Sequence, residues 1–380
     1  MNKPKVKKIV RVLGAAVALS MLLTWPVPSQ SAPKGSTGSD SYKVGMAFRS
    51  FAPQEPYDWR DARAHTLDVV VWYPAEDRAR EKPVVVRGLD IFELGRASPD
   101  APLAAKTARF PLVVISHGTG GSALAMAWLG EALAAHGYVA AAVNHPGNNA
   151  TEPYTAKGFS IWWERARDLS ETISEMLADA KFGHQIDPGR IGSAGFSLGG
   201  YTMIAIAGGI TDVQGFARFC DLPDAGRNCT SPPEFPSLVE DFRKLIREHP
   251  EVLRASGNSF RDARVRAVFA MAPGLGPAFT PSSLGKISIP VQIVAGESDQ
   301  NVPIESNAKY FAAKIPGAKL HIFPGKVAHY VFLDSCSEIG RKTVPMLCID
   351  AQGVDRDAIH TDTVRRALQF FRVTLEPETS

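Results

Sequence analysis

Nearly continuous apolar runs alternate with helical stretches over most of this chain, and this alternation restricts its fold more than any other feature. Strands that are apolar at successive positions lie in a sheet covered on both faces. Their alternation with helices predicts an α/β fold, with a mostly parallel central sheet and helices on both faces. A strand at 67–73, ended by Pro74, precedes this part and indicates an antiparallel opening. The later predicted strands lie at 110–116, 138–144, 190–195, 265–271, 289–295 and 320–323, before a closing helix at 361–371.

The first part of the chain differs in composition from the rest. Five basic residues precede an apolar run at 12–25, and prolines and small residues follow it. This order is typical of a secretory signal peptide, which we place at residues 1–31. The apolar run is shorter than the roughly 20 residues of a spanning helix, so an uncleaved anchor is the less favoured alternative and no stable membrane anchor is expected. Residues 32–41 resemble a flexible linker in composition, and the folded domain is predicted for residues 42–380.

The net charge argues against a nucleic-acid partner. The whole chain has a formal charge of +3, and removal of the five basic residues of the predicted signal peptide changes it to −2. A chain so close to neutrality has no electrostatic reason to bind nucleic acid or an anionic membrane. The signal peptide predicts a periplasmic or secreted location.

The four cysteines fall into two local pairs, which we expect to form disulfides in an exported protein. Cys220 would pair with Cys229, and Cys336 with Cys348. Four cysteines allow three connectivities, and free thiols are the alternative. Spacings of nine and twelve residues match no zinc-ligand pattern, so no metal site is predicted.

The regular alternation is interrupted at about residues 210–264. This stretch contains one of the cysteine pairs, a Pro-Pro step and an amphipathic helix. We interpret it as an inserted lid above the carboxyl edge of the sheet. A surface excursion with no part in substrate access is the alternative. The apolar face of the predicted helix consists of Leu238, Val239, Phe242, Leu245 and Ile246.

The most specific motif is Gly-Phe-Ser-Leu-Gly-Gly at residues 195–200, between a predicted strand and a predicted helix. A serine on so tight a turn is exposed at the edge of the sheet, and the flanking glycines avoid collision with neighbouring backbone. Ser197 is therefore the candidate nucleophile. The helix begins at Leu198, whose N–H is free to donate a hydrogen bond to a reacting oxygen.

A second backbone donor is expected from the loop His-Gly-Thr-Gly-Gly at residues 117–121. Its glycines let the chain approach a substrate closely, and the N–H of Thr119 is the candidate. Together, Thr119 and Leu198 would form an oxyanion hole. His117 is expected to be structural, because a general base this early would break the usual order of nucleophile, acid and base.

The acid and the base should follow Ser197 in the chain. Asp299 lies in the loop after the strand at 289–295, at the carboxyl edge of the sheet where sites of open α/β sheets form. Glu297 is the rival carboxylate in the same loop. Of the nine histidines, only His329 combines the right order with a position in a loop, between the last strand and the closing helix. We therefore predict His329 as the base.

With these residues, the chain resembles the group that joins bacterial dienelactone-hydrolase-like proteins to the platelet-activating factor acetylhydrolases. The resemblance runs from about Tyr42 to Phe371 and implies the α/β-hydrolase fold. Dienelactone hydrolases use a cysteine where this chain has Ser197. The plasma-type acetylhydrolases take their acid from a place occupied here by residues 271–273, which shifts the acid to Asp299. Further supporting residues are Trp72-Tyr73-Pro74, His145-Pro146-Gly147-Asn148, Arg165, Arg167, Asp168 and the segment 329–336.

A more distant similarity to bacterial cutinase-like and polyester hydrolases draws attention to Trp162 and Trp163. Both are candidates to line a substrate cleft, although aromatic residues on a helix are more often part of the core.

The sequence thus predicts an exported serine hydrolase that cleaves carboxylic esters with short to medium acyl chains through an acyl-enzyme. Its partner would be a small-molecule, lipid or polymer ester, and no metal or organic cofactor is needed. The alternatives are a cutinase-like polyester hydrolase, a phospholipid acetylhydrolase, an acyltransferase, or a non-catalytic binding protein on the same fold.

Overall fold

The structure is a computed structural model, and it describes residues 41–53, 57–86, 90–105, 109–223 and 225–376. The predicted signal peptide at 1–31 and all but the last residue of the predicted linker lie outside the described residues. The remainder of the chain groups into one compact unit that begins at Ser41.

A ten-stranded sheet forms the centre of the fold. The strands are β1 Lys43–Phe51, β2 Leu67–Ala75, β3 Lys82–Pro83, β4 Arg96–Pro99, β5 Phe110–Ser116, β6 Val139–Asn144, β7 Ile186–Phe196, β8 Val265–Met271, β9 Val291–Gly296 and β10 Lys319–Phe323. Their order across the sheet is β10-β9-β8-β7-β5-β6-β2-β1-β4-β3. In this order the neighbours from β10 to β6 are parallel, whereas β2 runs antiparallel to both β1 and β6. The antiparallel opening and the mostly parallel remainder are as predicted.

Helices cover both faces of this sheet. Along β5, Leu112 and Val114 pack into one apolar cluster, while Val113 and Ile115 pack into the other. Both faces of the central strands are therefore buried, which explains their continuous apolar sequence. The helices are α1 Ala127–Ala135, α2 Ala156–Ser160, α3 Arg165–Ala178, α4 Leu198–Ile206, α5 Val213–Cys220, α6 Leu238–Glu248, α7 Pro250–Ser256, α8 Pro281–Leu284, α9 Ala308–Lys314, α10 Glu338–Thr343, α11 Pro345–Cys348 and α12 Arg356–Thr374.

The sequence at residues 159–182 predicts one long helix, but the structure divides this stretch. That prediction is wrong, because Ile161 has ψ of 57° and interrupts the helical backbone between α2 and α3. The side chain of Thr155 caps α2, and α3 ends at Ala178, before Asp179, whose backbone is extended. The break leaves Trp162 and Trp163 in a short 3-10 helix.

The segment 210–264 contains α5, α6 and α7. Helix α6 buries Phe242 and Leu245 and packs against α2. Tyr154 donates a hydrogen bond of 2.7 Å to Asp241 on α6, which adds a polar contact to this packing. The segment is therefore attached to the body of the domain by apolar and polar contacts.

Two disulfides form, with the local pairing that was predicted. Cys220 is bonded to Cys229 within the segment 210–264, and Cys336 is bonded to Cys348 near the carboxyl end. Among the helices of the described residues, none is both long enough and apolar enough to cross a membrane.

Candidate active site

Ser197 lies between β7 and α4 on a strained turn. Its φ of 58° and ψ of −115° fall in a region that residues with a side chain rarely adopt. The turn is so tight that a Cβ on Gly195 would lie 2.3 Å from the carbonyl oxygen of Gly199, and one on Gly199 would lie 2.0 Å from that of Ser116. The two flanking glycines are therefore required by the close approach of neighbouring backbone.

The strain at Ser197 leads to a stability prediction. Backbone strain of this kind costs on the order of 1–3 kcal/mol, and glycine relieves it. We expect Ser197→Gly to have a free energy of unfolding about 1 kcal/mol higher than Ser197→Ala, after the greater entropy loss of glycine is deducted. Urea unfolding of the two variants measures the difference directly. Equal stability of the two would show that the turn is not strained.

The structure brings Ser197, His329 and Asp299 together. The Oγ of Ser197 lies 2.9 Å from Nε2 of His329, and Nδ1 of His329 lies 2.7 Å from Oδ2 of Asp299. These residues follow β7, β10 and β9, whose parallel carboxyl ends meet at one edge of the sheet. Asp299 and His329 are buried, whereas Ser197 is half-buried. A hydroxyl and an imidazole in this geometry can exchange a proton while the carboxylate holds the ring.

The two carboxylates of the loop after β9 have different neighbours. The second oxygen of Asp299 accepts hydrogen bonds from the N–H groups of Asn301, at 3.0 Å, and Val302, at 2.8 Å. The carboxylate of Glu297 instead accepts a hydrogen bond from the N–H of Gly325. Glu297 thus joins the loops after β9 and β10, and only Asp299 contacts His329.

The candidate oxyanion donors Thr119 and Leu198 line the same cavity as Ser197. The loop with Thr119 passes close to the serine, because a Cβ on Gly118 would lie 3.3 Å from the Cβ of Ser197. The N–H of Gly120 donates a hydrogen bond of 2.7 Å to Asn148, which fixes the loop next to Thr119. Asn148 belongs to the sequence motif at 145–148, but its contact with Gly120 has no signal in the sequence.

A buried polar network supports the loop that contains Thr119. Asp168 accepts a 2.7 Å hydrogen bond from Nδ1 of His145, whose Nε2 lies 2.8 Å from the hydroxyl of Ser116. Arg165 donates to the carbonyl oxygen of His117, at the start of the loop. Arg60 donates two hydrogen bonds of 2.8 Å to Asp168. The network therefore connects α3 to the backbone that carries the candidate oxyanion donor.

Burial and charge set the protonation of this network. Burial raises the pKa of Asp168, but Arg60 and His145 outweigh it and hold the pKa well below its usual range. Burial lowers the pKa of His145 to about 3, with a further contribution from Arg165. Burial, Arg165 and His145 lower the pKa of His117 as well. Both histidines are therefore neutral near pH 7, in keeping with the structural role expected for His117.

A cavity of about 420 Å³ opens beside Ser197. Trp162, a candidate to line a substrate cleft, lines this cavity and packs on Phe242 of α6 with ring centroids 4.7 Å apart. Trp163 does not line it; this side chain is buried in the core. The segment 210–264 contributes a largely apolar part of the wall, formed by Phe216, Pro232, Pro233, Phe235, Leu238, Val239 and Phe242.

Comparison with known proteins agrees with this fold. Residues 94–162 match the family of platelet-activating factor acetylhydrolase, isoform II. The match covers the loop with Thr119 and ends before Ser197. The structure is similar to that of the ferulic acid esterase from Streptomyces cinnamoneus, with a TM-score of 0.60 and 19% identity, over 92% of this chain and 94% of that one. No curated protein matches the sequence. The chain has the α/β-hydrolase fold and, as was expected from its sequence, resembles acetylhydrolase-like serine hydrolases.

Proposed function

We propose that this α/β-hydrolase is an exported serine hydrolase that cleaves carboxylic esters. The observation that carries the proposal is the continuous hydrogen-bond chain from Asp299 through His329 to Ser197, which ends at an apolar cavity. The likeness to acetylhydrolases and to an esterase supports a carboxylic ester hydrolase. The fold alone would not do so, because many functions share it.

The mechanism that we propose proceeds through an acyl-enzyme. Ser197 attacks the ester carbonyl while His329 takes the hydroxyl proton, and His329 then gives this proton to the departing alcohol. Asp299 holds the ring of His329 and stabilises its positive charge. The N–H groups of Thr119 and Leu198 stabilise the oxyanion of the tetrahedral intermediate. Water, activated by His329, then releases the acid and restores Ser197.

The apolar wall of the cavity supports a substrate with an apolar body. We propose short to medium acyl chains, because an apolar group removed from water here gains about 0.8 kcal/mol for each buried methylene. The segment 210–264, which supplies much of that wall, would act as a lid on the domain formed by residues 42–380. Export is supported by the two disulfides, which persist in oxidising compartments.

A phospholipid acetylhydrolase is the second candidate. It is favoured by the family match at residues 94–162, which includes the loop with Thr119. Release of acetate from an sn-2-acetyl phospholipid, measured beside a series of p-nitrophenyl esters of increasing chain length, separates the two. A rate with the phospholipid above that with p-nitrophenyl acetate would favour the second candidate.

A fluorophosphonate probe tests the nucleophile. The probe should label the purified protein once, and peptide mass spectrometry should place the label on Ser197. Prior labelling should abolish turnover of p-nitrophenyl butyrate. A protein that remains unlabelled and inactive would be a binding protein on this fold, and a label on another residue would reject Ser197.

A further inference from the structure

Within the described lining of the cavity there is one carboxylate, and it belongs to Glu234 in the segment 210–264. One of its oxygens accepts a hydrogen bond from the hydroxyl of Tyr330, the residue next to His329 in the chain. Its other oxygen, Oε2, is buried and has no hydrogen-bond partner in the described part of the protein. A buried acceptor left without a donor is costly, so this oxygen calls for an explanation.

Tyr330 and Asn301 hold Glu234 at the wall of the cavity, which all three residues line. The side-chain amide of Asn301 donates a 2.6 Å hydrogen bond to the oxygen of Tyr330, and Tyr330 in turn donates to Glu234. Burial, with the hydrogen bond and charge of Glu234, raises the pKa of Tyr330, so its hydroxyl keeps the proton that it donates. The chain of donors ends on Glu234. Oε2 is left as the oxygen of Glu234 to which no described group donates.

The surroundings of Glu234 indicate which donor fits. Phe235, the next residue, packs against Phe159 with ring centroids 4.6 Å apart, and both line the cavity. Trp162 and Phe242 form a second aromatic pair in the same lining. Flat aromatic groups pack well against such walls. Among the described residues no ion pair joins Glu234 to another side chain, and the residue lines the cavity.

We propose that Glu234 is a specificity-determining residue that accepts a hydrogen bond from a hydroxyl on the aromatic part of the substrate, so that the preferred substrate is a hydroxylated aromatic ester. This inference rests on the proposed ester hydrolysis and adds the substrate class. A site built around a hydrogen bond discriminates strongly against an analogue that lacks the donor, because the buried carboxylate is then left unpaired. The hydroxyl can belong to the acyl group or to the alcohol.

Two pairs of matched esters test the inference and distinguish these sources. Ethyl 4-hydroxycinnamate has a hydroxyl on the ring of the acyl group where ethyl 4-methylcinnamate has a methyl group. The butyrate esters of 2-(4-hydroxyphenyl)ethanol and 2-(4-methylphenyl)ethanol differ in the same way on the alcohol side. In one of the two pairs, we expect kcat/KM to be at least about tenfold higher for the hydroxylated ester. A hydrogen bond to a charged group contributes an energy of this order.

The variants Glu234→Leu and Glu234→Gln are compared with Glu240→Gln as the matched control. Glu240 lies on α6, is exposed and does not line the cavity. Glu234→Leu should reduce the hydroxyl preference to about one, Glu234→Gln should reduce it in part, and Glu240→Gln should keep it. The ratio of kcat/KM within a pair is unaffected by a general loss of activity. This includes a loss caused by displacement of His329 through its neighbour Tyr330. If Glu234→Leu does not fold, the partial loss expected for Glu234→Gln tests the inference, and an unchanged preference in Glu234→Gln would then overturn it.

A preference near one for both pairs in the wild-type protein would overturn the inference, and so would a preference that survives in Glu234→Leu. A higher rate with a 4-(trimethylammonio)cinnamate ester than with the 4-hydroxy ester would also overturn it, since the carboxylate would then select a cation. Failure of the proposed function looks different: the protein would hydrolyse none of the esters and Ser197 would not be labelled by a fluorophosphonate.

Discussion

Replacing Ser197 with alanine is expected to lower kcat for p-nitrophenyl butyrate by about 10⁴-fold or more. The variant retains the proposed oxyanion donors and the cavity, so only the rate that these supply without a nucleophile should remain. Alanine keeps a Cβ at this position, and the strained turn is therefore no worse than in the wild-type protein. Steady-state rates and burst kinetics of the purified proteins measure the effect.

Ser193→Ala is the matched control for this variant. Ser193 lies four positions earlier on β7, is fully buried, and its hydroxyl has no partner within the described residues. Its loss should leave kcat within about twofold, since most substitutions away from a site act through stability. Turnover by Ser197→Ala at a rate near that of Ser193→Ala would reject Ser197 as the nucleophile.

The turn at Ser197 was predictable because its signals are local. Two glycines, an apolar strand before them and a helix after them are adjacent in the sequence. The positions of Asp299 and His329 followed from a more general constraint, since carboxyl ends of parallel strands share one edge of the sheet. The choice between Asp299 and Glu297 depends on which carboxylate faces His329, and this orientation has no local signature in the sequence.

The contacts that sequence reasoning missed join distant parts of the chain. Tyr330 and Glu234 are 96 residues apart, and Asn148 reaches Gly120 across 28 residues. Each contact is set by tertiary packing, which no periodicity in the sequence encodes. The break at Ile161 has a similar origin, because tertiary packing overrides the helical propensity of the surrounding residues.

A second group of aspartate, histidine and serine shows why geometry must be weighed together with access. Asp168, His145 and Ser116 are joined by hydrogen bonds of 2.7 and 2.8 Å, closely similar to those of Asp299, His329 and Ser197. All three are fully buried, so no substrate can reach Ser116. This buried group instead supports the neighbouring loop, where Arg165 donates a hydrogen bond to the carbonyl oxygen of His117.

Asp299→Asn is expected to lower kcat by about 10³- to 10⁴-fold while the protein remains folded. The amide of asparagine would donate to Nδ1 of His329, which places the ring proton on Nε2 and prevents Nε2 from accepting the proton of Ser197. The KM should change little, because Asp299 does not line the cavity. The pair of kcat and KM, measured for p-nitrophenyl butyrate, distinguishes this effect from weaker substrate binding.

Glu297→Gln provides the comparison within the same loop. Glutamine keeps an oxygen that can accept from the N–H of Gly325, so the connection between the loops after β9 and β10 is retained. We expect the kcat of Glu297→Gln to stay within a few fold of the wild-type value, since the exposed interaction of Glu297 with Gly325 contributes little to stability. A large loss in Glu297→Gln with a small one in Asp299→Asn would exchange the roles of the two carboxylates. Each variant replaces one carboxylate oxygen with an amide nitrogen in the same loop. A difference in kcat between them therefore reports the contact with His329 and not the loss of a negative charge.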